Sequence, residues 1–438
     1  MPNRLETNLS ELTSPAPILE DFDLLSPDYL NDPMAALYDV RQRTPIFYVP
    51  ELNCWIPTRY RDIETVLRDA TTFSSASAQI PPLSPSLEKL VPKEDEQIVR
   101  QLFANQLVFN DPPQHNVERR SAQRTFNRKQ VDIVVPAIEK ICDELIDGFA
   151  ARGSADLMES FARRFSIRVV GTMLGLDVND LDRFQRMVDS FFALMAPAGA
   201  DAKYLHSNDN QIADSFAGLV EGYHHFARIV DERRACPGDD MASSMIQLKD
   251  DDGNSVMTTA QILAHMVGIV AAGTDTTSNL ICSMVYRLTL ETEVRDAAIA
   301  DPTLWPAVVE ECLRRESPGD KALRTVTRDT ELAGYTIPQG SAVLVLFAAA
   351  NGDPDVFDNP LRLDLRRPEI KESRHFGAGR HNCLGAPIVR PEANIAMRRL
   401  YTRLPGLTAS LETPPDFEHS MMRARRSLPV RWRIDSSV

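Results

Sequence analysis

Apolar residues recur at helical spacing along most of this chain, and one stretch sustains the pattern over many turns. Ile262, Met266, Ile269, Val270, Leu280, Ile281 and Leu288 carry it, with no proline before Pro302. Thr258 and Gln261 stand three apart just ahead, as N-cap and N3 of a reciprocal capping box. The pattern predicts a helix of about 30 residues, about 45 Å long, enough to cross a large domain. Asp32 to Arg43 reads as a short helix. Val131 to Glu232 reads as mainly helical, with breaks near 197–200 and 208–210. Strand signals are few. Phe47-Tyr48-Val49 and Trp55-Ile56, separated by Pro50-Glu51-Leu52-Asn53, read as a hairpin. Tyr335-Thr336-Ile337 and Val343-Leu344-Val345-Leu346-Phe347 flank a Pro338-Gln339-Gly340 turn, and the Ser- and Pro-rich stretch 74–92 reads as a long loop. The expected fold class is mainly α with small β-sheets. Residues 1–31 form an extended lead-in and residues 32–438 one large domain.

The centre of the long helix departs from its own pattern. Ala271-Ala272-Gly273-Thr274-Asp275-Thr276-Thr277-Ser278 places a glycine and four hydroxyl residues where good helix formers belong. Taken alone, this is a helix with a polar face. Hydroxyls also compete for backbone carbonyls, so the stretch predicts a local distortion with room for a small ligand and water.

Composition narrows the class. The chain has 438 residues, 43% hydrophobic and 25% charged, which supports a large core. A formal net charge of -14 argues against general nucleic-acid binding. The most apolar run, Ile262 to Gly273, contains His265 and is too short to span a bilayer. The polar start, Met1 to Asn8, lacks a signal-peptide pattern. Cys54, Cys142, Cys236, Cys282, Cys312 and Cys383 are scattered, with no CxxC pair. These features predict a soluble, cytoplasmic protein that binds neither nucleic acid nor membrane.

The candidate chemistry lies in Phe376-Gly377-Ala378-Gly379-Arg380-His381-Asn382-Cys383-Leu384-Gly385. A cysteine ends a Gly-rich loop, and Ile388, Ile395, Ala396 and Leu400 behind it read as a helix. The unpaired N–H groups and positive dipole end of that helix favour a thiolate. The two glycines let backbone pass close to a large flat object, and Phe376 can lie against it. A lone cysteine is ordinarily a buried thiol; these neighbours at these offsets argue otherwise. A soft anionic ligand, dry walls and donors for carboxylates are what a haem-thiolate site needs.

The loop resembles the cysteine-ligand loop of the cytochrome P450 superfamily, in its soluble bacterial branch, and the likeness runs from about Asp32 to Trp432. The resemblance implies the P450 fold, with a long central helix over a haem b and the Cys-ligand loop on the opposite side. It implies Cys383 as axial iron ligand, with Phe376, Gly377 and His381 around the cofactor. Ala272-Gly273-Thr274-Asp275-Thr276 resembles the family's oxygen-activation motif. By that likeness Ala272 and Gly273 border the haem, with Gly273 making room over the iron. Thr276 would hydrogen-bond bound dioxygen, and Asp275 would relay protons. His115 and Arg119, four apart and so on one face, match propionate partners, as do Arg324 and His381. Glu311 and Arg314 match a structural Glu-x-x-Arg pair, with Arg367 as its third member.

The chain departs from the family pattern in three places. Asn351-Gly352-Asp353 lacks an arginine usual there, His375 directly precedes Phe376, and Pro391 falls inside the helix after Cys383. Proline has no N–H to donate to the Pro387 carbonyl, which predicts a kink or altered turn.

The implied activity is a monooxygenase that uses dioxygen to hydroxylate or epoxidise a hydrophobic small molecule in bacterial specialised metabolism. Coupling, cyclisation, desaturation or nitration would use the same cofactor, and a haem sensor or carrier is a third reading. No flavin or ferredoxin module follows Trp432, so electrons are expected from a separate ferredoxin and its NAD(P)H-dependent reductase. The enzyme itself is expected to be a monomer. Arg120, Arg124, Arg128, Lys129, Arg390, Arg398 and Arg399 are the expected basic docking patch. The 78–109 and 190–205 regions, Val270, Ala271, Ala322, Leu323, Met421 and Met422 are the expected substrate walls.

Overall fold

The Thr259–Leu290 helix has core on nearly every side, as its apolar residues demand. In this computed structural model the described residues are 17–76, 83–126, 128–177, 181–195, 208–250, 252–412, 416–419 and 423–434. The helix is 32 residues long, and both halves of the predicted capping box between Thr258 and Gln261 form. The Arg163–Leu174, Leu181–Ala193, Trp305–Glu316 and Ala386–Arg403 helices pack around it. The expected distortion at its centre does not form, and the helix runs unbroken through Ser278. Two of the four hydroxyls bond back onto their own helix instead, while Thr277 reaches Glu392 and Thr274 Oγ1 is buried without a partner. Thr276 Oγ1 donates to the Ala272 carbonyl at 2.5 Å, and Ser278 Oγ to that of Asp275 at 3.1 Å.

A second apolar core lies under a five-stranded sheet. Its order is Ile46–Val49, Cys54–Pro57, Ala342–Leu346, Lys321–Val326, Phe73–Ser74. The predicted hairpin pairs Phe47 with Ile56. The strands flanking the Pro338 turn part company. Tyr335–Ile337 pairs with Thr330–Leu332, and Ala342–Leu346 joins the large sheet. That strand ends at Leu346, because Phe347–Asn351 is already helical. The 74–92 stretch includes a short 3₁₀ turn, Leu87–Lys89, and residues 77–82 lie outside the described part.

The expected extended lead-in is corrected at its end. Pro27–Asn31 is a short helix, because Ser26 caps it through the Tyr29 N–H and Pro27 supplies a helix-ready first residue. Asp32 then caps Pro33–Arg43 through the Ala35 N–H. A Ser154–Asp156 strand paired with Pro429–Arg431 has no alternating signal in the sequence.

The Glu-x-x-Arg pair has its expected third member. Glu311 accepts from Arg314 Nε at 2.8 Å and from Arg367 Nε at 3.0 Å, all three being buried. The Asp364 N–H adds a third bond at 2.8 Å. At Gly352, where the family's arginine is missing, Arg41 brings a guanidinium from another helix. It donates to the Gly352 carbonyl at 2.8 Å and lies 3.8 Å from Asp353. The Ala386–Arg403 helix is unbroken through Pro391, so no altered turn forms there. Pro391 is the sixth residue of that helix, so the Pro387 carbonyl goes without the N–H it would otherwise accept, and the turn keeps its helical form around that single missing bond.

Glu311→Ala would leave two guanidinium groups buried without their acceptor. The expected loss is about 3–5 kcal/mol, read as a fall in the urea midpoint or as failure to accumulate folded protein.

Candidate active site

Two backbone devices shape the cysteine loop. Gly377 and Gly379 have φ of 71° and 67°, which L side chains seldom adopt. The Gly377 N–H donates to Arg374 at 2.8 Å, and the Cys383 N–H returns to Phe376 at 2.8 Å, closing the loop. Gly379 does not face a flat ligand, because a Cβ there would meet the Leu67 carbonyl at 2.7 Å. Its bareness lets the loop seat on the end of the Tyr60–Arg68 helix. Phe376 lies between the Arg390 guanidinium, 4.8 Å from the ring centre, and the His375 ring at 4.4 Å.

Cys383 sits where the Ala386–Arg403 helix begins. Burial pushes its thiol up, while the Gly385 and Ala386 N–H groups, Arg119 and Arg390 pull it down. The net direction is upward, so a stable thiolate at this sulfur calls for a cation, as metal coordination supplies.

The loop and the long helix meet at one cavity of about 300 Å³. Of the predicted residues, Thr276, Arg324, Phe376, Gly377, His381 and Cys383 line it. Ala272, four residues before Thr276 and thus on the same face, is exposed despite its place in a buried helix. Asp275 is buried and not on the lining. Gly273 is not on the lining, and a Cβ there would lie 2.7 Å from Val170 Cγ2, so its missing side chain admits the Arg163–Leu174 helix.

His115, Arg119, Arg324 and His381 converge from three segments. The two histidine rings are 4.2 Å apart. Both nitrogens of His115 and Nε2 of His381 are buried without a hydrogen-bond partner. Burial, then Arg324, His115 and Arg119, push His381 down to about 3. Arg324 is pushed down to about 10 by burial, and only Asp111 opposes that. Asp111 is itself held by Ser74 Oγ and the Ser75 N–H. None of these four donors pairs with a carboxylate among the described residues. Donors without a carboxylate partner, crowded beside a half-buried thiol, suit a flat metallated ligand with two carboxylates, so the residues fit a haem.

Four other residues belong in this account. Ser75 Oγ is buried, unpartnered and on the cavity wall, and nothing in the local pattern singles it out. Lys321 lines the same wall. Its signal was a charge between apolar Ala322-Leu323 and a Pro-Gly turn. His375 bonds Ser373 Oγ at 2.7 Å, and burial pushes it down to about 3. Glu392 is buried at the contact of the long helix with the post-cysteine helix. Among the described residues its one side-chain partner is Thr277 Oγ1, at 3.5 Å, and burial pushes it up to about 8.

Among the remaining expected residues, Phe109, Met195, Ala322 and Leu323 do line the cavity, with Val108 beside them. Val270 and Ala271 are buried off its lining. Met421, Met422 and residues 78–82 and 196–205 lie outside the described residues. The basic patch is weaker than expected. Arg390 pairs with Glu310 at 2.5 Å and Arg399 with Asp143 at 3.5 Å, while Arg120 and Arg398 are exposed. The side chains of Arg128 and Lys129 lie outside the described part.

The family model for cytochrome P450 matches residues 92–301 and 291–433. The chain is 31% identical over 431 residues to the cytochrome P450 monooxygenase PikC of Streptomyces venezuelae, covering 96% of each chain. It is also 31% identical to the mycinamicin IV hydroxylase/epoxidase of Micromonospora griseorubida, covering 87% of this chain and 90% of that one. Among solved structures, the epothilone D-bound cytochrome P450epoK matches with a TM-score of 0.83 and 26% identity, over 95% of this chain and 100% of that one. No helix among the described residues is long and apolar enough to cross a membrane.

Glu392 generates a prediction from its sign. Its folded pKa of about 8 lies above the ordinary 4.5, so the folded chain holds this proton longer than the unfolded one. The group therefore weakens the fold as pH rises through that window. Glu392→Gln should flatten stability between about pH 5 and pH 8, gaining up to about 4 kcal/mol at the upper end. Denaturant midpoints at the two pH values check this; equal wild-type and variant slopes would contradict it.

Proposed function

The chain belongs to the cytochrome P450 family and is a monooxygenase of that family, and from that premise we propose that it oxidises a hydrophobic small molecule at a haem b held by Cys383. The observation that carries this reading is the single cavity shared by Thr276 and Cys383, with its orphaned donors at one edge. When bound, the haem supplies dioxygen activation and a thiolate-ligated iron. His115, Arg119, Arg324 and His381 would hold its two carboxylates, the arginines suiting that task by their forked geometry. Ser75 Oγ is a further donor on the same wall.

Thr276 has a defined polarity. Its proton is committed to the Ala272 carbonyl, so its oxygen turns lone pairs to the cavity. It is an acceptor there, suited to hold a water or a protonated oxygen in place. Asp275, one residue earlier, is the acid of the pair, and its proposed role is to supply protons to the water that Thr276 holds. Ala272, exposed four residues before Thr276 though off the cavity lining, would border the cofactor with a small side chain.

The substrate is proposed to be apolar, since Val108, Phe109, Met195 and Leu323 line the space beside Thr276. Hydroxylation or epoxidation of a specialised metabolite is the proposed outcome, supported by the activities in the relatives' names. Electrons are proposed to come from a ferredoxin and its reductase. The exposed Arg120 and Arg398 near the cysteine loop's helix support an acidic partner. All six cysteines are unpaired, which suits a reducing cytoplasm. Residues 32–438 are proposed to act as one catalytic domain and the protein as a monomer.

Cys383→Ala should lose the thiolate-type spectrum of the reduced carbon monoxide complex; its persistence would refute the ligand assignment. Thr276→Ala should keep that spectrum and keep consuming dioxygen and reductant. Its product per reductant should fall by roughly a factor of ten or more, with hydrogen peroxide released in its place.

A further inference from the structure

We propose that the Asp320–Lys321 pair is the polar recognition element of this cavity, and that it selects an apolar molecule bearing a neutral oxygen, a hydroxyl or a carbonyl, over a carboxylate or a plain hydrocarbon. The proposal rests on the haem monooxygenase reading and names the substrate class of that same site.

Placement comes first. Lys321 lines the cavity. Two residues earlier, a Cβ on Gly319 would lie 3.8 Å from Thr276 Cγ2. The segment therefore borders the Thr276 side, where oxidation is placed. Arg324 is the other permanently charged lining residue, three residues further along the strand and about 10 Å away. It belongs with His115, Arg119 and His381, so Lys321 is outside the set that would hold the cofactor. Between the two lie Ala322 and Leu323, with Leu344 paired to Leu323 on the neighbouring strand.

The pair is costly for a wall that needs only to be apolar. Lys321 Nζ is 2.6 Å from Asp320 Oδ2, with side chains 10% and 2% exposed. Asp320 Oδ1 is buried without a hydrogen-bond partner. A buried ion pair is a weak source of stability, and apolar residues of similar volume often do as well or better. Its presence on this wall is explained by what enters the cavity.

Charge then decides the class of ligand. Ammonium and carboxylate cancel, so the wall has no net charge to set against a bound ion. An ion entering an apolar cavity loses hydration that a neutral wall does not replace. A neutral oxygen, of a hydroxyl or a carbonyl, can accept from the ammonium without that loss, while Asp320 stays off the lining as the counter-charge behind it. A hydrocarbon cannot accept and leaves the pair desolvated.

The test uses haem-loaded wild type, Lys321→Met and Lys321→Gln, titrated with decanol, methyl octyl ketone, sodium decanoate and decane. The readout is the spin-state shift of the haem band. Wild type should bind the alcohol and ketone about tenfold more tightly than decanoate or decane. Lys321→Met should lose that preference, with the alcohol and ketone falling toward the affinity of decane, and Lys321→Gln, which keeps a donor, should recover part of it. The proposal is overturned if decanoate or decane binds as tightly as decanol, if no probe shifts the spin state, or if Lys321→Met keeps the wild-type preference. The reduced carbon monoxide spectrum of each variant is recorded first. A missing thiolate signature in wild type overturns the haem reading and this proposal together; an intact one confines any failure to the Asp320–Lys321 assignment.

Discussion

The geometry of the site depends on one buried carboxylate, that of Glu311. It accepts from Arg314, Arg367 and the Asp364 N–H at once. Arg314 passes the constraint on, donating to the carbonyls of Asn351, Pro360 and Arg362. Asn351 then ties three places together. Its amide donates to Ser317 at 2.9 Å, and its oxygen accepts from Ser373 Oγ at 3.1 Å and the Arg374 N–H at 2.6 Å. Ser317 opens the segment that becomes the Lys321–Val326 wall, and Arg374 opens the cysteine loop. One network thus sets both the donor wall and the sulfur. Such networks add little net stability but are expensive to break, so their effect is to fix a geometry.

What that frame holds is electrostatically unfinished. Two arginines and two histidines gather at one edge of the cavity without a counter-carboxylate, and both histidines are pushed down by burial. The cysteine thiol is pushed up for the same reason. Each shift has the sign that a ligand with carboxylates at its rim and a cation at its centre would reverse. Unsatisfied buried groups are rare in folded chains and call for an explanation. Here the single explanation is a cofactor that is anionic where the donors are and cationic where the sulfur is.

Much of this was legible in the sequence because it is local. The capping box at Thr258 and Gln261, the hairpin at Phe47 and Ile56, and the Glu311–Arg314 spacing are all fixed within a few residues. The cysteine loop was legible because six positions, Phe376, Gly377, Gly379, His381, Cys383 and Gly385, are needed at fixed offsets. The failures share one cause, which is that the deciding contact is distant in sequence. Gly273 looked like an opening over the iron, but Val170, a hundred residues earlier in the chain, fills its space. The helix centre looked breakable, but Thr276 and Ser278 found carbonyls of their own helix and neighbouring helices pack most of its faces. The Gly352 substitution looked like a lost arginine, but Arg41 supplies the guanidinium from a helix that no local pattern links to it.

The spacing between the oxygen side and the sulfur side of the cavity is set where the two long helices touch, and Glu392 lies at that contact. Val389, three residues before it and so on the same helix face, lines the cavity. Thr277, its partner across the contact, follows Thr276 directly. An ionised acid there would draw water into the joint between the helices; held neutral by burial, it is a compact polar group satisfied by one hydroxyl. The neutral acid therefore keeps the joint dry and close-packed, and with it the gap in which Thr276 and Cys383 must face a single cofactor.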